Sequence, residues 1–273
     1  SELNEYQKNA VMDESKACLV NACVGSGKTT VLVNKVIYLH TEKKIPLSDI
    51  VVLTFTNKAA GEIISRLKAA DSNISEDDTK YFGTFHSVAL KMLKTVLPVK
   101  DIGYDEDFAV MDVDEENELA QSLVASHNLN IKYLNSLYKR IEAAKKEKFL
   151  YGRMKKEDDI RSLLEILKEE KRKQNKMDFD DLISYAVQLI PEVGYRPAWI
   201  ITDEFQDTNS EQLMFIDSLA GKDTKLFAVG DPNQIIYTWR GSCKDIFDRF
   251  RKKYGATEMS LPENYRSSSN IID

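Results

Sequence analysis

Residues 17–30 read ACLVNACVGSGKTT. An apolar run meets a Gly-Ser-Gly turn, and a segment with helical spacing follows, with Leu32, Val36 and Leu39 on one face and Val33 and Ile37 beside it. A buried strand that turns tightly into a helix is a unit of a parallel α/β sheet. Gly25 and Gly27 let the backbone curl until its N–H groups converge at a helix N-terminus, a place that holds anions. The stretch fits the phosphate-binding pattern G-x-x-x-x-G-K-[ST] except at its first position, where Ala22 stands for Gly. Lys28 then supplies a point charge to the β and γ phosphates of a nucleotide, and the Thr29 hydroxyl a ligand for Mg²⁺. Ser26 and Thr30 complete the loop, and Cys23 is expected to be a small buried filler. A bare tight turn is the competing reading, and it leaves Gly-Lys-Thr after a strand unexplained.

Further apolar runs end in polar or acidic turns: DIVVLTFT (49–56), YFGTF (81–85), WIITDEF (199–205), KLFAVGD (225–231) and, more weakly, TEMSL (257–261). Near-continuous runs of this kind suit strands buried on both faces of a parallel sheet. Between Ser87 and Trp199 no convincing strand is read. Helices are predicted there from about Asp114, with Glu115 and Glu116 near the positive end of its dipole, and over 132–148 and 157–174. Another starts after Asp178, carries Phe179, Leu182, Ile183, Ala186, Val187 and Ile190 on one side, and stops at Pro191. The cluster Asp178, Asp180 and Asp181 is explained by capping of that helix. The expected organisation is an α/β domain formed by 1–107 and 177–273, with a helical subdomain inserted at 108–176.

With 42% hydrophobic and 30% charged residues the chain belongs with soluble globular proteins, not disordered ones. It has no run of 18 apolar residues, so no spanning helix and no membrane partner is expected. Cys18, Cys23 and Cys243 have neither metal-ligand nor disulfide spacing, which suits a reduced, cytoplasmic setting. The net charge of −6 argues against a basic coat, yet residues 132–176 hold 15 Lys and Arg against 8 Asp and Glu. That run is either a set of solvated helix faces or a local footprint for a polyanion. The chain opens at Ser-Glu-Leu without Met and closes on SSSNIID, which reads as a helix just beginning. A fragment of a longer protein is expected.

A nucleotide site of this type needs an acid at the end of a neighbouring strand. Asp203 after Trp199-Ile200-Ile201-Thr202 is placed to hold Mg²⁺, and Glu204 to orient or deprotonate an attacking water. The Asp-Glu pair favours hydrolysis over phosphotransfer, and ATP is the expected nucleotide.

Taken in order, LNEYQ (3–7), ACVGSGKTT (22–30), LTFTNKAAGEI (53–63), GTFHS (83–87), DEFQDTN (203–209), VGDPNQIIYTWRGS (229–242) and ENYRS (263–267) resemble the motifs of the UvrD/Rep-type superfamily 1 DNA helicases. These motifs span nearly the whole chain. The resemblance implies a RecA-like P-loop parallel sheet flanked by helices, with an inserted all-helical subdomain: the first motor lobe of an ATP-dependent helicase or translocase moving 3′ to 5′ on single-stranded DNA. By that resemblance Gln7 hydrogen-bonds adenine and Tyr265 stacks on it. Gln234 senses the γ-phosphate and Arg266 stabilises charge there. Phe55, Asn57, Thr84 and His86 touch single-stranded DNA, while Tyr237 and Trp239 stack on bases with Arg240 beside them.

Plainer roles stand beside these. Phe55 and Phe85 follow strands and also fit a core, and His86 also fits a hydrogen-bonded structural residue. Where many relatives continue the P-loop with Arg, this chain has Thr30. No later motif of a second motor lobe is present, so the resemblance implies that the lobe alone is weak or inactive and works with a second lobe at single/double-strand junctions. The alternative is an ATP-gated DNA-binding subunit of a nuclease or defence complex without unwinding.

Overall fold

The computed structural model describes residues 2–152, 158–237 and 243–263. In chain order they form α1 (Glu5–Met12), β1 (Ala17–Ala22), α2 (Lys28–Thr41), β2 (Ile50–Thr54), α3 (Asn57–Ala70), β3 (Phe82–Thr84), α4 (Phe85–Thr95), β4 (Ala109–Val110) and α5 (Val113–Ser126). Then follow α6 (Leu137–Tyr151), α7 (Asp158–Lys173), β5 (Lys176–Met177), α8 (Phe179–Leu189), β6 (Trp199–Thr202), α9 (Ser210–Leu219), β7 (Lys225–Gly230), α10 (Cys243–Tyr254) and β8 (Thr257–Leu261). The chain divides into two compact units, 1–88 with 195–273 and 89–194. The sequence placed its boundaries at 107/108 and 176/177, inside the second of these.

In the first unit six parallel strands lie in the order β3-β2-β6-β7-β1-β8. Each apolar run of the sequence became one of them. Cys18, Val20, Ile50, Val52, Trp199, Ile201, Phe227 and Val229 join a core completed by α1, α2 and α3. The alternate residues Leu19, Val51, Leu53, Ile200 and Ala228 are buried as well. Burial on both faces is what makes such strands read as unbroken apolar runs. Local chemistry sets the helix starts. Asn4 and Gln7 form a reciprocal capping box on α1, Asn209 and Gln212 another on α9, and the Thr56 hydroxyl accepts from Ala59 N at the head of α3.

Lys35 of α2 is fully buried. Its ammonium donates to the carbonyls of Ala10 (3.3 Å), Val11 (2.9 Å) and Asp13 (2.5 Å), acceptors at the C-terminal end of α1. It also lies 4.6 Å from the Trp199 ring centroid and 4.8 Å from that of Phe227. One side chain therefore fastens α1, and with it Gln7, to α2 and the sheet.

The second unit has a core of Ala120, Leu123, Val124, Leu137, Ile141, Ile160, Leu163 and Leu167 from α5, α6 and α7. It also holds the short parallel pair β4–β5, Ala109 opposite Lys176 and Val110 opposite Met177. The sequence reading had no strand here, and two residues are too few to show a period of two. The predicted helices are present with shifted starts: α5 is capped by Asp112, whose carboxylate accepts from Glu115 N, and α6 begins at Leu137.

Asp178 caps α8 as expected, but capping is only part of its role. Its carboxylate also accepts from Lys145 (2.7 Å) and Lys171 (2.8 Å), while Lys145 bonds Glu116 and Lys171 bonds Asp181 (2.7 Å). This buried network ties α5, α6, α7 and α8 together. Burial works against the Asp178 charge, but Lys171 and Lys145 outweigh it and hold the carboxyl below its ordinary range. Burial, then the Asp178 charge, pushes Glu116 up to about 7. With Lys148 on Glu165, Arg172 on Glu169 and Lys176 on Glu115, part of the basic run is paired within its own unit.

Candidate nucleotide and nucleic-acid site

Parallel strands bring the motifs to one edge of the sheet. Ala22 ends β1 and leads into the loop 23–27, Thr202 ends β6 before Asp203, and Gly230 ends β7 before the 3-10 turn that carries Gln234. Because β7 lies between β6 and β1, these carboxyl ends are neighbours, where ligands bind in open α/β sheets.

Gly25 (φ 78°) and Gly27 (φ 76°) are both left-handed. Gly27 caps α2 without any side-chain hydrogen bond, so the first N–H groups of the helix stay available to an anion. Ser26 turns inward, and its N and Oγ donate to Cys23 O at 3.1 and 2.6 Å. Cys23 is half-buried, not the buried filler expected. Gln7 is buried against the loop, accepting from Asn4 N (3.0 Å) and donating to Ser26 O (3.1 Å). The φ of Gly27 favours glycine, and a Cβ there would lie 2.5 Å from Gln7 Nε2 and displace that amide. Thr29 and Thr30 are half-buried in the first turn of α2, and Thr30 O accepts from Asn34 Nδ2 (2.8 Å).

Lys28 reaches across the edge to Glu204, with Nζ 3.1 Å from Oε1. Glu204 has left-handed backbone (φ 47°, ψ 45°), a conformation that costs a non-glycine residue about 1–3 kcal/mol. Asp203 is buried at 8% exposure, and its carboxylate accepts from Glu204 N at 2.7 Å. Burial, then the neighbouring Glu204 charge, pushes its pKa up to about 6. Among the described residues no group of three or more His, Cys, Asp or Glu could hold a metal. The Thr29 hydroxyl and the Asp203 carboxylate are hard oxygen donors, the type that suits Mg²⁺.

Gln234 is exposed at the surface, its Oε1 accepting from Gln206 Nε2 at 3.2 Å. The same Nε2 donates to Glu204 Oε2 at 2.5 Å, and Gln206 Oε1 accepts from Asp231 N at 2.9 Å. Sequence reasoning passed over Gln206. It lies inside the DEFQDTN motif, but in a stretch without periodicity that assigned it no role.

Residues expected at DNA lie further along the edge, beyond β2 and β3, which are paired through Leu53–Gly83 and Thr54–Thr84. Phe55 is half-buried, with its ring 5.5 Å from that of Phe85, and Phe85 is a core residue that also packs on Phe215. Asn57 is exposed at the start of α3. Thr84 accepts from Ser87 N at 3.1 Å, capping α4, and His86 is half-buried in the first turn of that helix. Tyr237 closes the 3-10 turn of Gln234. Trp239, Arg240, Tyr265 and Arg266 lie outside the described residues.

Asn175-Lys176-Met177-Asp178 spells Asn-Lys-x-Asp, the pattern by which GTP-binding P-loop proteins read guanine. Here its Asp178 carboxylate is buried, caps α8 and accepts from two lysines, so it is committed to the fold.

Residues 3–255 match the family model of the UvrD/REP helicase N-terminal domain. Across 99% of its length the chain is 33% identical to a probable DNA helicase II homolog of Mycoplasma capricolum, covering 40% of that protein. It is 30% identical to DNA helicase II of Haemophilus influenzae over 99% of the chain and 39% of the relative. The match to ATP-dependent DNA helicase PcrA of Bacillus subtilis is 31%, over 100% of the chain and 38% of the relative. The chain thus spans about 40% of the length of the curated relatives it matches. No helix among the described residues is long and apolar enough to cross a membrane.

Proposed function

Because the chain belongs to the UvrD/REP helicase N-terminal domain family, we propose that it is the ATP-binding motor lobe of a DNA helicase or translocase working 3′ to 5′ on single-stranded DNA. The observation that carries this reading is the convergence of Lys28, Asp203, Glu204 and Gln234 at the ends of three adjacent strands. Lys28, Gly25, Ser26, Gly27 and the first turn of α2 bind and orient the phosphates, and Gln7 stands behind the loop to meet adenine. Thr29 and Asp203 would hold Mg²⁺, which would supply charge neutralisation for the phosphates. Glu204, once Lys28 turns to phosphate, takes up the proton of the attacking water. Gln234 meets the terminal phosphate, with Arg266 and Tyr265 completing the nucleotide's surroundings.

Phe55, Asn57, Thr84, His86, Tyr237, Trp239 and Arg240 form the DNA-facing side, where stacking is worth about 1–3 kcal/mol per base and is indifferent to sequence. In this proposal 1–107 and 177–273 form the lobe, 108–176 is its insertion, and a second motor lobe closes over the nucleotide at a single/double-strand junction. The test is ATP turnover by the full-length protein with and without single-stranded DNA, joined to strand displacement from duplexes with 3′ or 5′ tails. Stimulation by DNA and displacement from the 3′-tailed substrate are expected. Turnover indifferent to DNA would overturn the reading.

A further inference from the structure

Gln206 is 1% exposed, and every hydrogen bond of its amide is made to a different part of the candidate site. Its Nε2 donates to Glu204 Oε2 and to Gln234 Oε1, and its Oε1 accepts from Asp231 N at the base of the turn that carries Gln234. A primary amide has two N–H donors, so both are used. Buried as it is, Gln206 has no water to exchange for either partner.

The approach is permitted by Gly230. A Cβ there would stand 2.8 Å from Gln206 Oε1, 3.1 Å from its backbone N and 3.2 Å from Phe205 Cβ. A side chain at that position would push on the Gln206 amide and require the turn of Phe205 and Gln206 to give way by a few tenths of an ångström.

The Glu204 carboxylate is held from both sides, with one oxygen on Lys28 and the other on Gln206. A phosphate that draws Lys28 away removes the first restraint and leaves Gln206 as the second. A shift of Glu204 is then carried through one amide to Gln234 and the backbone of Asp231.

Resting on the motor-lobe reading above, we propose that Gln206 is the positioning residue that couples occupancy of the Lys28–Glu204 site to Gln234 and its turn. Its removal uncouples nucleotide from DNA without abolishing the binding of either.

The experiment measures the affinity of the full-length protein for a fluorescent single-stranded oligonucleotide, without nucleotide and with a saturating non-hydrolysable ATP analogue and Mg²⁺. Two variants are compared. Gln206→Leu and Gln206→Met both carry an apolar side chain of similar bulk and lose all three bonds. In the wild type the analogue should change the DNA dissociation constant by at least about fivefold, the lower end of usual coupling. In either folded variant that ratio should fall toward one, while each ligand alone binds within about twofold of wild type. A folded variant that retains the ratio would overturn the inference, as would a wild type that binds both ligands with no coupling. Loss of the folded state in both variants would make Gln206 a purely structural residue and overturn it too. A wild type that binds neither ligand would instead contradict the motor-lobe reading itself.

Discussion

Lys28 and Glu204, 176 positions apart in sequence, form an ion pair of 3.1 Å across the carboxyl edge of the sheet. In the proposed function these two groups have opposite tasks at a nucleotide, and here they satisfy each other. Under that proposal phosphate oxygens compete with a carboxylate for the lysine, and their success frees that carboxylate.

Lys28→Ala removes the charge proposed to contact phosphate, so nucleotide affinity should fall about tenfold to a hundredfold. Titration with a fluorescent ATP analogue measures this. An unchanged dissociation constant would remove Lys28 from the phosphate site.

Gly27→Ala sets a methyl group 2.5 Å from Gln7 Nε2 at a residue with φ of 76°. The folded state should lose about 1–3 kcal/mol, and nucleotide affinity should fall with it. Part of that loss comes from the collision, so adding Gln7→Ala should relieve it and the two substitutions should be non-additive. Thermal melts of the double-mutant cycle decide, and simple additivity would show that Gln7 does not press on the loop.

Asp203 keeps its proton up to about pH 6 in the folded protein, against an ordinary 3.8. The folded state binds the extra proton between those values, so this group's contribution to stability is present below the ordinary range and lost as pH rises through 6. Asp203→Asn retains an acceptor for Glu204 N and carries no charge. It should stabilise the protein at pH 7.5 by on the order of 1–3 kcal/mol, have little effect at pH 4, and weaken Mg²⁺-dependent nucleotide binding. Denaturant melts at the two pH values give the answer, and equal effects at both would contradict the argument.

Glu116 titrates near 7 inside the network of Lys145, Lys171, Asp178, Asp180 and Asp181. Its raised value means that stability falls as pH climbs from the ordinary 4.5 toward 7. Asp178, held low, acts in the opposite sense and loses its contribution only in acid. Glu116→Gln should flatten the decline in denaturation midpoint between pH 5 and 8, because the amide still accepts from Lys145. A slope equal to the wild type's would place the titration elsewhere.

What the sequence revealed divides along a physical line. β2 and β7 sit within their predicted runs, because burial on both faces leaves a local signature, while the edge strand β8, Thr257–Leu261, buries only Leu261 fully and gave the weaker signal TEMSL. The placement of Gly25 and Gly27 in a left-handed turn, of Lys28 at a helix start and of Asp203 after a strand was legible for a similar reason, as turn chemistry and strand ends are local. Lys35 looked like an ordinary residue of an amphipathic helix, yet its partners at Ala10, Val11 and Asp13 are 22 to 25 positions away. Gln206 and the Lys145–Asp178–Lys171 network escaped for the same cause: their meaning lies in contacts that only the folded chain creates. The strands β4 and β5 escaped because two residues carry no period.

The account rests most heavily on Glu204 as the base at an ATP site, and phosphate release by the full-length protein at saturating single-stranded DNA tests it most directly. Glu204→Gln should lower turnover by about 10²–10⁴-fold while Mg²⁺-ATP continues to bind. Turnover equal to the wild type's, with the nucleotide bound, would contradict it.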